Sequence, residues 1–97
     1  MDEARALAAL GALSQTTRLQ LYRLLVGCGP AGLSAGNIAE RLGVVPSSLS
    51  FHLQNLVNAG LITQRLTGRM MIYAAAYQTM TELLAYLSET CVAAAAE

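Results

Sequence analysis

IAERLGVVPSSLSFHLQNLVNAGLI, residues 38–62, reads as two short helices joined by a tight turn. Ser34 can cap the first, Ala35 to Leu42, whose apolar stripe is Ile38, Ala39 and Leu42, and Gly43 closes it as a left-handed C-cap. Pro46 suits the first turn of the second helix, where its missing N–H does no harm. Within that helix Leu49, Leu53, Leu56 and Val57 fall four, three and one residues apart on one face, and Ala59-Gly60 ends it. The pair is a helix-turn-helix unit.

Downstream the period changes. Leu61 to Leu66 and Met70 to Ala76 flank Thr67-Gly68-Arg69, a short turn with the glycine that a hairpin needs, so a β-hairpin wing follows the unit. Upstream, Asp2 to Leu13 is rich in Ala and Leu and predicts a first helix with Leu7, Leu10 and Gly11 on its stripe. Ser14 to Thr17 offers caps for a second helix with Leu19, Tyr22, Leu24, Leu25 and Val26 on a broad apolar face, stopped by the Gly27 to Gly32 segment. The last segment, Tyr77 to about Ala95, is helical. Its Tyr77, Met80, Leu84, Leu87 and Cys91 alternate three and four residues apart, a seam that packs against another helix. The predicted order α-α-α-α-β-β-α is a winged helix-turn-helix, mainly helical, in one domain over residues 1–97.

With 97 residues, 55% hydrophobic and 12% charged, the chain buries a modest core and leaves apolar surface for a second copy, so a homodimer is expected. No apolar run approaches the roughly 18 residues of a membrane span, and the acidic Met1-Asp2-Glu3 start lacks the basic region of a secretory signal. A cytoplasmic protein with no membrane partner is expected, its Cys28 and Cys91 reduced unless they have a redox or metal role. The formal net charge of zero hides an uneven distribution. Arg18, Arg23, Arg41, Arg65 and Arg69 share the middle of the chain with Glu40 alone, while Glu82, Glu89 and Glu97 lie in the last segment with no base.

On a helical wheel, the face of the second unit helix opposite its core carries Ser47, Phe51, Gln54, Asn55 and Asn58, with Ser48 and Ser50 on its flanks. Short polar side chains of this kind approach base edges closely, and the helix N-terminus can face phosphate. Phe51 either touches a thymine methyl or covers the core. Arg65 and Arg69 beside the hairpin tip are positioned to meet the DNA backbone or minor groove, or are solvated charges. His52, at the edge of the buried face, is read as a hydrogen-bonded structural residue rather than a ligand, and Arg18 and Arg23 as partners of acids or of the scaffold.

Taken together, ALSQTTRLQLYRLL (residues 12–25), the 38–62 stretch and RLTGRMMIY (residues 65–73) resemble the ArsR/SmtB family of repressors over nearly the whole chain. The resemblance implies a transcriptional repressor that dimerises through its first and last helices, with Leu7, Leu10, Tyr77, Met80, Leu84, Leu87 and Cys91 at the interface. It implies two reading helices entering successive major grooves of an imperfect palindrome in double-stranded DNA. By motif, Ser47, Ser48, Ser50, Phe51 and Gln54 fall on the reading helix, and Arg65 and Arg69 on the wing.

The metal sites of that family have no counterpart here: Ser34 and Gly36 stand where a Cys-x-Cys motif is expected, and the single His is far from the last helix. No metal or cofactor is therefore expected. LLAYLSETC, residues 83–91, is similar to a subgroup of arsenic-responsive members with a vicinal cysteine pair, but Val92 takes the second position. An arsenite or other thiol-reactive effector would need Cys91 from both subunits, or Cys28 as well. As a small apolar seam residue and a turn residue, the two cysteines also have plain structural readings.

Enzymatic function is not expected, because the chain lacks a Cys-His or carboxylate pair, a phosphate-binding glycine loop and a metal cluster. The alternative is a winged-helix module that dimerises or binds protein without touching DNA.

Overall fold

In the computed structural model, which describes residues 1–95, the elements run α1 (Glu3–Leu13), α2 (Thr16–Cys28), β1 (Leu33–Ser34), α3 (Ala35–Leu42), α4 (Pro46–Asn58), β2 (Ile62–Thr67), β3 (Met70–Ala75) and α5 (Tyr77–Ala95). This is a winged helix-turn-helix. Ala96 and Glu97, the latter counted above among the acids of the last segment, lie outside the described residues.

Local chemistry sets most boundaries. Asp2 caps α1 by accepting from the Arg5 N–H at 2.8 Å, and Gln15 caps α2 through the Arg18 N–H. The second helix outlasts its glycines, passing through Gly27 and Cys28 to Gly29, so Cys28 is a helix-terminal residue rather than a turn residue. Ser34 caps α3, and Gly43 ends it at φ +65°.

The short β1 has no forecast in the sequence. It pairs antiparallel with β3, Leu33 opposite Tyr73 and Ser34 opposite Ile72, giving a sheet in the order β1-β3-β2. Gly32 makes the pairing possible: at φ +68° it lies so close to β3 that a Cβ would run into the Tyr73 carbonyl. Between β2 and β3 the loop is two residues, Gly68-Arg69, with Thr67 opposite Met70 and a positive φ at Gly68 alone, the pattern of a type II′ hairpin.

Leu21 and Leu25 of α2, Ile38 of α3, Leu49, Leu53 and Leu56 of α4, and Leu61 and Leu83 form the center of the core, each nearly or wholly buried. Burial of one such side chain contributes about 1.5–3 kcal/mol. On α1 the core takes Ala6, Ala9 and Ala12, whereas the stripe residues Leu7, 61% exposed, and Leu10 point outward. Alanine allows the closest approach of α1 to its neighbours. On α5 the buried residue is Leu83, and Met80 packs half-buried against the core, while Tyr77, Leu84, Leu87 and Cys91 stay exposed. Residues 84–91, beyond Leu83, are exposed, and the molecule is 53 Å long but only 24 by 22 Å across. A salt bridge of 3.2 Å from Arg5 to Glu82 joins α1 to α5.

Candidate nucleic-acid interface

The α3–α4 unit presents one face of α4 to solvent. Leu49, Leu53 and Leu56 anchor its inner side, which leaves Ser47, Ser48, Ser50, Phe51 and Gln54 exposed together on the outer side. At its start Val45 offers no side-chain cap and Pro46 has no N–H to satisfy. The Ser47 and Ser48 N–H groups therefore lack a capping acceptor and point along the positive end of the helix dipole, where an anion is stabilised.

The side chains on this face are partly ordered by one another. Gln54 Nε2 donates to Asn58 Oδ1 at 2.8 Å, which fixes the amide and leaves its own carbonyl oxygen outward. Asn55 Nδ2 donates to the Phe51 carbonyl at 3.0 Å, and the Ser50 hydroxyl to the Pro46 carbonyl at 3.2 Å. Of the two readings of Phe51, its 64% exposure speaks against the core cover, and its ring meets that of His52 edge to face, centroids 5.7 Å apart.

Behind the face, Arg18 fastens α4 to the other helices. Its Nε donates to the Ala12 carbonyl at the end of α1 at 2.7 Å, and its guanidinium lies 3.3 Å from His52 Nδ1 on α4. Burial, and next the Arg18 charge, push the His52 pKa below its ordinary value, so the neutral ring accepts that hydrogen bond. His52 and Arg18 are scaffold residues, as their positions in the sequence suggest.

The two wing arginines differ. Arg69 occupies the hairpin loop, exposed, with no side-chain hydrogen bond or ion pair among the described residues. Arg65 lies two residues before the tip's last pair and folds back, donating to the Pro30 carbonyl at 3.2 Å and the Ala31 carbonyl at 2.9 Å. It braces the wing against the loop after α2, a role sequence reasoning missed because the acceptors are backbone atoms more than 30 residues away. Arg41, in the last turn of α3, adds an exposed cation on the helix-turn-helix unit itself.

The remaining candidates stay apart from this face. Cys28 is half-buried and Cys91 exposed, both as free thiols. Ser34 serves as the α3 cap, accepting from the Asn37 N–H at 3.3 Å, and Gly36 is exposed. Among the described residues there is no group of three or more His, Cys, Asp or Glu able to hold a metal ion, and no helix long and apolar enough to cross a membrane.

Comparison with known proteins agrees with this geometry. The helix-turn-helix domain family matches residues 13–65, from the end of α1 into the wing. Among solved structures, the chain is similar to an ArsR-like transcriptional regulator from Rhodococcus sp. RHA1, with 28% identity, a TM-score of 0.82 and coverage of 92% of this chain and 81% of that one. HlyU from Vibrio cholerae N16961 is 32% identical, with a TM-score of 0.70 and coverage of 90% and 97%. The homodimeric winged helix-turn-helix DNA-binding domain of Mb0332 from Mycobacterium bovis is 25% identical, with a TM-score of 0.72 and coverage of 91% and 79%. A comparison with curated proteins gives no match. With more than half its length inside the helix-turn-helix family and these regulators alongside it, the chain belongs to the ArsR-like winged helix-turn-helix transcriptional regulators.

Proposed function

We propose that two copies of the chain bind an imperfect palindrome in double-stranded DNA and repress the genes it controls. The observation that carries this reading is the outer face of α4. Five residues able to meet base edges or a thymine methyl stand clear of the protein, on a helix whose first N–H groups lack a side-chain cap. Ser47, Ser48, Ser50, Phe51 and Gln54 read the major groove, and Arg69 meets phosphate from the wing while Arg65 holds the wing in place. This face favours DNA binding over a module that only pairs with protein.

Dimerisation follows from the apolar surface that one copy leaves open. Leu7 and Leu10 on α1 and Tyr77, Leu84, Leu87 and Cys91 on α5 lie outside the core, with Met80 at its edge, and residues 84–91 of α5 are exposed among the described residues. A helix with so little support gains stability from a second copy. Two reading helices then address two half-sites about 34 Å apart, one turn of B-form DNA. A thiol-reactive effector such as arsenite would act through Cys91 of both copies or through Cys28.

The experiment is a mobility shift with the duplex upstream of the chain's own gene against a scrambled duplex, at low salt, with and without arsenite. Preferential retardation of the first duplex is expected. Equal indifference to both would overturn the reading, and identical curves with arsenite would remove the thiol effector.

A further inference from the structure

Gln54 and Asn58 stand one turn apart at the end of α4, both exposed, and Gln54 Nε2 donates to Asn58 Oδ1 at 2.8 Å. This bond decides what Gln54 shows to a base. An amide free to turn offers a donor or an acceptor on either side and distinguishes bases weakly. Held by Asn58, it presents its carbonyl oxygen and the second Nε2 proton, one acceptor beside one donor.

In the major groove only adenine answers that pair, its N6 amine donating and its N7 accepting. Guanine shows two acceptors, thymine a single acceptor and cytosine a single donor. To satisfy guanine, Gln54 would need both Nε2 protons and would give up the bond to Asn58. The neighbouring side chains agree. Asn55 is turned away, donating from Nδ2 to the Phe51 carbonyl, and does not compete for the same base. The Ser50 hydroxyl gives its proton to the Pro46 carbonyl and is left an acceptor. Phe51, three residues before Gln54 on the same outer face and 64% exposed, suits a thymine methyl. Acceptors and an apolar ring together match A·T pairs, whose groove edge carries the adenine N6 donor and the thymine methyl.

We propose that Asn58 is a positioning residue that holds Gln54 for a bidentate contact with adenine, one in each operator half-site. The inference rests on the regulator reading. It adds the base that the reading helix selects, and a residue that acts on that choice through its neighbour.

The test selects duplexes from a randomised pool with the unaltered protein, Asn58→Ala, Asn58→Asp and Gln54→Glu, then measures affinities by anisotropy on single-base variants of the selected sequence. The unaltered protein should favour adenine about tenfold or more at one position of each half-site. Asn58→Ala should cut that preference about fivefold, as for one side chain freed to rotate, and leave the salt slope unchanged because no charge is lost. Asn58→Asp keeps an acceptor and should keep the preference, though its charge weakens binding to every duplex. Gln54→Glu, an acceptor alone, should move the preference at the same position from adenine to cytosine. All variants should melt close to the unaltered protein, since both side chains lie outside the core.

If Gln54→Glu changes no position of an enriched site, or one held by guanine, cytosine or thymine, the contact is overturned and the regulator reading stands. A uniform loss in Asn58→Ala with the adenine preference intact has the same result, giving Asn58 to the groove it lines with Leu7 and Gly11 beside the proposed seam. A pool that the unaltered protein leaves unenriched overturns both.

Discussion

Replacing Arg69 by alanine tests the division of labour on the wing. Arg69 occupies the two-residue loop between β2 and β3 and holds no partner among the described residues, so its whole charge is available to a phosphate. A dimer carries two such loops. Each neutralised phosphate adds about 0.9 to the slope of log affinity against log salt, so Arg69→Ala should flatten that slope by about 1.8 per dimer. Between about 50 and 200 mM salt, a fourfold change, the unaltered protein should then lose roughly twelvefold more affinity than the variant. Fluorescence anisotropy on one duplex at several salt concentrations measures this, and the loss should be nearly uniform across sequences. Arg65→Ala should change the slope less, and should speed amide hydrogen exchange in β2 and β3 because the Pro30 and Ala31 bonds are gone. An unaltered slope in Arg69→Ala would refute the assignment of the wing to the DNA backbone.

Gly32→Ala should lower the melting temperature by at least about 4 °C, since a left-handed alanine costs on the order of 1–3 kcal/mol before the collision with Tyr73 is counted. Leu84→Glu should give a folded monomer in sedimentation velocity, because Leu84 is 58% exposed within one copy and supports no part of its own core. Stability should be full above the ordinary histidine pKa of 6.5 and fall as the pH drops below it toward the depressed folded value of His52, because the unfolded chain takes up the proton first. Denaturant titrations at several pH values check this, and His52→Gln should remove that part of the dependence.

The helix-turn-helix unit was legible because its residues obey one period at a time. Leu49, Leu53 and Leu56 can share a buried face only on a helix, and Gly43 and Pro46 punctuate it where the structure turns. The hairpin was equally plain at Thr67-Gly68-Arg69. By contrast, β1 is two residues long and held by backbone pairing, which leaves no side-chain pattern to read. On α1, hydrophobicity alone ranks Leu7 and Leu10 above the alanines, but size decided the packing, and Ala6, Ala9 and Ala12 went inward. On α5 the three-and-four spacing marks Tyr77, Met80, Leu84, Leu87 and Cys91, yet the core takes Leu83 from an adjoining face, because that helix is apolar on two sides. Of the candidate site, the outer face of α4 followed from the wheel, whereas the grip of Arg65 depends on atoms distant in the chain.

The all-alanine inner side of α1 acts as a spacer gauge. Methyl side chains at those three positions allow close approach of helices, whose interaxial distances usually run about 8–10 Å. In a twofold assembly, any bulk added at Ala9 would be felt once in each half, and the gap between the two reading heads would widen by twice the displacement. If two copies pair on DNA as proposed, the pitch they straddle is gauged by residues that never approach it.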